Sequence, residues 1–241
     1  IFLGQVEAPL LIRPYLSAMT RHELLVIMTA GMSTIAGSVM VVYTTMLSPI
    51  YGPGLIGHFL SASLISVPAA IMFANIMIPS ETKTEFPENK SEELYSGTMD
   101  AITQGTKNGL DMFLNIAAML IVVMALVFLL NSILGLLPNL NGSPITLELI
   151  LGYIFIPLAW FMGIPWNETF MAGQLLGIKT ALNEFVAYLY LSDAEAYPLG
   201  DKSRLIMLYA LCGFANFSSV GILLSGLSAM VPERRMDLIS I

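Results

Sequence analysis

The sequence predicts an all-α membrane protein, with transmembrane helices, re-entrant helical hairpins and two broken helices in a repeated arrangement. Of the 241 residues, 56% are hydrophobic and only 11% are charged, whereas about 25% charged residues is usual for a soluble domain. No Asp, Glu, Lys or Arg occurs between Glu23 and Glu81 or between Asp111 and Glu148. A bilayer core about 30 Å thick requires roughly 20 apolar residues of helix, so the first stretch has room for two crossings and the second for one.

The charge and the single cysteine limit the possible partners. The formal net charge is −7, and the Lys and Arg residues are scattered along the chain, which argues against a nucleic-acid partner because binding phosphates requires clustered basic side chains. Cys212 is the only cysteine, so no intrachain disulfide can form.

We expect an integral, multi-pass protein of the cell membrane. The chain opens at Ile1 without a complete first helix, so we expect a fragment that lacks the early spans and the last span.

Residues 1–48 are predicted to hold the end of a first re-entrant hairpin and the first broken transmembrane helix. A helix starts at Glu7 with Pro9 in its first turn, where proline costs least. An apolar helix then begins at about Leu24, is interrupted over residues 31–37 and resumes. Because glycine, alanine and hydroxyl residues are concentrated there, we interpret the interruption as an unwound span.

Residues 55–137 are predicted to form scaffold transmembrane helices with a polar connecting segment over residues 80–111. The stretch from Leu55 to Ile78 is long enough to be a full crossing. Residues 112–137 form the longest apolar run in the chain and predict the next crossing.

Residues 146–192 are predicted to form an interfacial helix and a second re-entrant hairpin. The apolar stretch 147–162 is short for a span and therefore favours an interfacial or re-entrant placement. Asn167 could cap the first arm of the hairpin, which would run to about Leu182 before Asn183 and Glu184 break it. Two short arms around a polar tip are typical of a hairpin that enters the membrane and returns.

Residues 202–231 are predicted to contain the second broken transmembrane helix, interrupted over residues 213–219. The same order of features therefore occurs twice: a polar tip that holds a Glu residue, then a crossing broken by small and polar residues. The first tip is Gln5-Val-Glu7 and the second tip is Asn183-Glu184. Discontinuous helices in corresponding positions of two halves point to a transport site near the middle of the membrane.

The acidic residues at the two tips, Glu7 and Glu184, are the first functional candidates. A carboxylate at membrane depth costs several kcal/mol unless it is paired or lines a wet cavity. The alternative is a structural ion pair, for which Lys179 is a possible local partner of Glu184.

Polar side chains near both tips could bind a small polar ligand. Asn216 and Ser219, three residues apart, can face one cavity, and with Glu184 they supply donors and acceptors for a vicinal diol. Gln5 and Glu7 could together recognise the amide-like edge of a nucleobase. A separate aromatic side chain nearby, that of Phe214, could stack on the ligand or simply pack in the core.

Several motifs carry a resemblance to a known family. The run Gly177-Ile-Lys-Thr-Ala-Leu-Asn-Glu-Phe-Val-Ala-Tyr188 matches the pattern Gly-x-Lys-x-x-x-Asn-Glu-Phe-Val-Ala-Tyr of the concentrative nucleoside transporters. Gly4-Gln-Val-Glu-Ala-Pro9, Gly37-Ser-Val39 and Cys212-Gly-Phe-Ala-Asn-Phe-Ser-Ser219 also resemble landmarks of that family, and they occur in the same order.

The resemblance implies a homotrimer in which each protomer binds one nucleoside and is driven by a sodium gradient. It places Gln5, Glu7 and Val39 at the base, with Val6 where the family usually has Thr or Ser. It places Glu184, Asn216 and Ser219 at the ribose, with Phe214 beside them. For sodium it indicates main-chain carbonyls of Leu3, Thr34 and Ile35, with the Thr34 hydroxyl as a further ligand.

Three other functions remain open at this point. A proton could replace sodium as the coupling ion, since Glu7 or Glu184 could carry it. An intramembrane enzyme could use the two carboxylates as an acid and base pair, although the chain has no Gly-x-Ser-x-Gly, His-Glu-x-x-His or phosphate-loop motif. A channel is also possible, but dissimilar side chains at two tips suit an occluded binding site better than a continuous pore.

Overall fold

A computed structural model describes residues 3–80, 96–139, 142 and 144–241 of the chain. Within these residues the secondary structure consists of α-helices and short 3-10 helices, and no strand is present. The α-helices are, in chain order, α1 (Glu7–Leu11), α2 (Arg13–Leu16), α3 (Arg21–Ser33), α4 (Gly37–Tyr51), α5 (Leu55–Met77), α6 (Thr98–Leu134), α7 (Leu147–Phe161), α8 (Thr169–Ala181), α9 (Glu184–Ser192), α10 (Asp201–Leu211), α11 (Phe217–Met230) and α12 (Arg235–Ser240). The predicted all-α class is thus confirmed.

Three stretches among the described residues are long and apolar enough to cross a membrane. They are Arg21–Tyr51, which contains α3 and α4, Leu55–Met77 and Thr98–Leu134. Helix α6 starts well before the apolar run that the sequence predicts, and its polar first turns extend the same helix. Of the predicted polar connecting segment, residues 81–95 lie outside the described residues.

The first break separates α3 from α4. Helix α3 begins with a capping box, in which Thr20 and Glu23 satisfy each other's main-chain amides. It ends at Ser33 because Thr34 adopts an extended conformation, with φ −110° and ψ 171°. Helix α4 starts at Gly37, so the unwound part covers residues 34–36 and is shorter than the predicted interruption over residues 31–37.

The second break separates α10 from α11 and packs directly against the first. Gly213 has φ +121°, a conformation that only glycine adopts without strain. A Cβ atom on Gly213 would lie 2.7 Å from the carbonyl oxygen of Ser33. Glycine at this position therefore allows the two unwound segments to meet.

Two apolar clusters hold these elements together. The larger cluster joins α4, α5, α8, α9 and α10. Within it, the ring centroid of Tyr188 lies 4.8 Å from that of Tyr43 and 5.8 Å from that of Phe59. The smaller cluster joins α2, α3, α11 and α12. Because α4 and α9 share the larger cluster, side chains from both helices meet beside the second hairpin tip.

Helices α7 and α8 approach closely through three glycines. A Cβ atom on Gly173 would overlap the carbonyl oxygen of Gly152, and one on Gly177 would overlap that of Glu148. Small residues at such spacing let helix backbones come together. The contact holds the first arm of the helical hairpin α8–α9 against α7.

One local prediction is wrong. Asn167 does not cap α8, because the chain after Pro165 first forms a 3-10 turn over Trp166–Glu168, and Glu168 precedes the helix without a side-chain cap. Within this hairpin the side-chain cap is on the second arm, where the side-chain oxygen of Asn183 accepts from Val186 N at 2.9 Å.

Candidate substrate site

A cavity of about 430 Å³ lies between the two tips and the two breaks. This volume falls within the range of roughly 300–1,000 Å³ that is usual for small-molecule sites. All the residues that the sequence analysis assigns to a substrate line it: Gln5, Val6, Glu7, Val39, Glu184, Phe214, Asn216 and Ser219. Residues from opposite ends of the sequence are therefore brought to one place.

One wall of the cavity is built around the Glu184 carboxylate. Glu184 is the first residue of α9, only 5% of its surface is exposed, and its side chain lies at the helix N-terminus, where a negative charge is stabilised. Its Oε1 accepts from the hydroxyl of Tyr43 at 2.8 Å and its Oε2 from the amide of Asn216 at 2.9 Å. Since an ionised carboxylate has about four acceptor positions, each oxygen can accept once more.

Asn216 links this wall to the second break. Its side-chain oxygen accepts from the main-chain nitrogen of Ser219 at 2.8 Å and so caps α11, while its nitrogen donates to Glu184. The cap fixes the amide and places Ser219 one turn further along the same cavity. The wall thus offers a carboxylate and a serine residue side by side.

The opposite wall contains a buried amide with an unused acceptor. Gln5 is 7% exposed, and its Oε1 is buried and has no hydrogen-bond partner among the described residues. Such an atom normally has a partner, so this one points to a donor on a bound ligand. The carboxylate of Glu7 folds back over Gly4 and is exposed, which differs from the buried environment of Glu184.

Val6 has an apolar neighbour on the far side of the tip. It is 1% exposed, and a Cβ atom on Gly226 would lie 2.5 Å from its Cγ1 atom. The missing side chain of Gly226 on α11 therefore accommodates Val6. Val6 is also part of the lining of the cavity.

The sequence analysis missed one hydrogen-bonding group in this site. Tyr43 is fully buried and its hydroxyl donates to Glu184, although it is not part of any of the signature motifs. Its position one helical turn after Val39, which lines the cavity, is the signal that could have identified it. Further lining residues that were not predicted are Ser38, Ile116, Leu120, Phe185 and Ile222.

Comparison with known sequences decides the family. The sequence profile of the Na+ dependent nucleoside transporter C-terminus matches residues 58–241. The chain belongs to this family. It is accordingly an integral, multi-pass membrane protein, and the family to which it belongs is one of transporters rather than enzymes.

Individual transporters of the family cover nearly the whole chain. Solute carrier family 28 member 3 of Homo sapiens is 40% identical over 100% of this chain and 37% of its own length. The nucleoside permease NupC of Helicobacter pylori is 38% identical over 99% of this chain and 57% of its own length. The solved structure of CNTnw in an inward-facing substrate-bound state superposes with a TM-score of 0.76 at 37% identity, covering 98% of this chain and 56% of the other. The chain thus spans little more than half, or less, of these transporters.

Two of the three residues that were predicted to bind sodium line a second, smaller cavity. Leu3 and Thr34 lie on a cavity of about 190 Å³ behind the first tip, next to Gly31. The Thr34 hydroxyl donates to the carbonyl of Ala30 at 3.1 Å, which leaves its oxygen free to bind a cation. Ile35, the third predicted ligand, has its side chain fully buried in the larger apolar cluster and does not line this cavity.

Proposed function

We propose that this chain forms the substrate-binding part of a sodium-coupled nucleoside symporter that works by alternating access. The observation that carries the proposal is the pair of cavity walls: the hydrogen-bonded Glu184 carboxylate on one side and the buried, unpartnered Gln5 oxygen on the other. A carboxylate that can accept twice more suits two adjacent hydroxyl groups, and an amide suits the edge of a base. Membership of the family supports the same substrate class.

In this proposal the ribose lies against Glu184, Asn216 and Ser219, with Phe214 beside it. The base lies against Gln5, Val6, Glu7 and Val39. Three segments close over the nucleoside, while residues 55–137 form the scaffold. They are residues 1–48, with the end of the first hairpin and the first broken helix, residues 146–192, with the interfacial helix and the second hairpin, and residues 202–231, with the second broken helix.

Sodium is proposed to bind behind the first tip. The last carbonyl groups of α3 have no donor within the helix, and Thr34 directly follows this helix. Carbonyl and hydroxyl oxygens are the ligands that a hard cation prefers. The proposed ligands are carbonyls of Leu3, Thr34 and Ile35 together with the Thr34 hydroxyl. The dependence on sodium in the family name supports this ion.

Oligomerisation is the last part of the proposal. Many apolar side chains of α6, among them Ile121, Phe128 and Leu129, are exposed in the single chain. A protein or lipid surface must cover them in the membrane. We propose a homotrimer, as the family resemblance implies, and mass measurement of the detergent-solubilised protein tests it.

Uptake into proteoliposomes tests the transport function. The protein at its full length is reconstituted, and labelled uridine is supplied under an inward sodium gradient, an inward proton gradient or no gradient. Concentrative uptake of intact uridine under the sodium gradient alone is expected. Uptake driven by protons without sodium would replace the coupling ion, and no uptake under either gradient would contradict the proposal.

A further inference from the structure

Lys179 is a buried basic residue that the proposed nucleoside and sodium sites do not use. It lies in the last turn of α8 and is 8% exposed. Its ammonium group donates to the main-chain carbonyl of Ala210 at 2.9 Å. A buried charge is costly unless other groups offset it, so its surroundings must supply negative potential.

The carbonyl end of α10 supplies part of that potential. The helix ends at Leu211, and the main-chain nitrogen of Cys212 turns back to the carbonyl of Tyr209. The last carbonyls of a helix have no intrahelical donor and carry the negative end of its dipole. Lys179 therefore holds the edge of the second break by bonding one of them.

The Glu184 carboxylate supplies the rest. Glu184 follows Lys179 by five positions, at the start of the other arm of the same hairpin. Among the described residues the ion pair within bonding distance is Arg234 with Asp237, so the direct pair between Lys179 and Glu184 that the sequence allowed is not formed. The two residues are nevertheless both buried at one hairpin tip, where Coulomb interactions act over longer distances than in water.

The first break has a corresponding geometry but no lysine. Leu3 precedes Glu7 by four positions and shares a cavity with Thr34, just beyond the carbonyl end of α3. No Lys or Arg occurs between Leu24 and Tyr51. The helices on either side of the first break therefore contribute no Lys or Arg side chain between Leu24 and Tyr51. The proposed sodium ion would bind at this break.

We propose that Lys179 is a fixed cation at the second break, a positioning residue whose ammonium group offsets Glu184 and holds α10 in the role that an exchangeable sodium ion has at the first break. The comparison with the first break rests on the proposed sodium coupling.

Thermal unfolding tests the charge balance without any transport measurement. The full-length variants K179M, E184Q and K179M/E184Q are compared with the parent protein. Because the two charges offset each other, E184Q is expected to recover part of the melting temperature that K179M loses. If the two losses simply add, or if neither K179M nor the double variant yields folded protein, Lys179 does not balance Glu184.

Uridine binding tests the positioning role. K179M is expected to weaken uridine binding by about tenfold or more, because the charged hydrogen bond from Lys179 to the carbonyl of Ala210, which positions the second break, is lost. K179R retains the charge and should bind uridine more tightly than K179M. The exposed Lys202 provides the matched control, and K202M should bind like the parent. Equal affinities of K179M and K179R would overturn the role of the charge. Absence of uridine binding by the parent would instead refute the proposed function, and the unfolding cycle would still decide the role of Lys179.

Discussion

The side-chain amide of Asn216 donates a hydrogen bond to Oε2 of Glu184 across 2.9 Å. This contact joins the tip of the α8–α9 hairpin to the start of α11, although the two residues belong to different elements. Because the same amide caps α11, a change at the tip is transmitted to the break. A ligand bound to Glu184 and Asn216 would therefore stabilise one position of the hairpin tip relative to α11.

Replacing Tyr43 by Phe tests the support of the Glu184 carboxylate. The variant keeps the ring that packs on Tyr188 but removes the hydroxyl that donates to Oε1. A hydrogen bond to a charged group is worth about 1.5–3 kcal/mol, so uridine affinity should fall by about tenfold or more in titration calorimetry. Y190F, at a largely exposed tyrosine of the same hairpin, is the control and should be unaffected. An unchanged affinity for Y43F would show that the contact does not support binding.

Val6 and Gly226 should behave as a fitted pair. A methyl group on Gly226 would clash with Val6, so G226A is expected to displace the first tip and weaken uridine binding. V6A in the same chain removes the clashing methyl groups, and V6A/G226A should bind more tightly than G226A alone. Additive losses in this cycle would mean that the two side chains are energetically independent.

Thr34 tests the proposed cation site. T34V removes the hydroxyl but keeps the shape, so the sodium concentration for half-maximal uridine binding should rise by about threefold or more. Thr44 also bonds to the carbonyl four residues earlier in its helix, and it does not line the cavity behind the first tip. T44V is therefore the matched control, and an equal shift in both variants would remove the special role of Thr34.

Replacing Gly173 and Gly57 by Ala should change the free energy of unfolding in opposite directions, because the two glycines have different surroundings. G173A places a methyl group against the carbonyl of Gly152 and should lower the free energy of unfolding by about 1–3 kcal/mol. Gly57 lies inside α5 with open space around it, so G57A should stabilise the protein by up to about 1 kcal/mol. Thermal unfolding of the full-length variants measures both. A neutral G173A would contradict the packing described for α7 and α8, and a destabilising G57A would contradict the open space around Gly57.

The sequence predicts the elements of this fold well because a membrane imposes a simple rule. Charge-free stretches of sufficient length must be helices, and small polar residues within them mark where the helix unwinds. Gly213 and Thr34 lie within or next to such stretches, and the structure has both breaks at or near the predicted places. The polar first turns of α6 were harder to predict because they continue a helix outside the apolar run.

The contacts of the site were predicted only where a motif brings the residues together. Glu184 and Asn216 are parts of recognisable motifs, whereas Tyr43 contacts Glu184 through the packing of α4 against α9 and lies outside those motifs. The partner of Lys179 could not be predicted for the same reason, because Ala210 offers only its main chain. The false cap at Asn167 arose because an asparagine before an apolar run is also compatible with a 3-10 turn.

The central claim is that the Glu184 carboxylate binds the ribose hydroxyls of a nucleoside, and calorimetric titration of the full-length protein in sodium tests it most directly. The parent should bind uridine more tightly than 2′,3′-dideoxyuridine, and E184Q should weaken uridine binding by about 1.5–3 kcal/mol while losing most of that discrimination. The exposed Glu195 provides the control variant E195Q, which should behave like the parent. If E184Q discriminates between the two nucleosides as strongly as the parent does, the carboxylate does not bind the diol and the account is wrong.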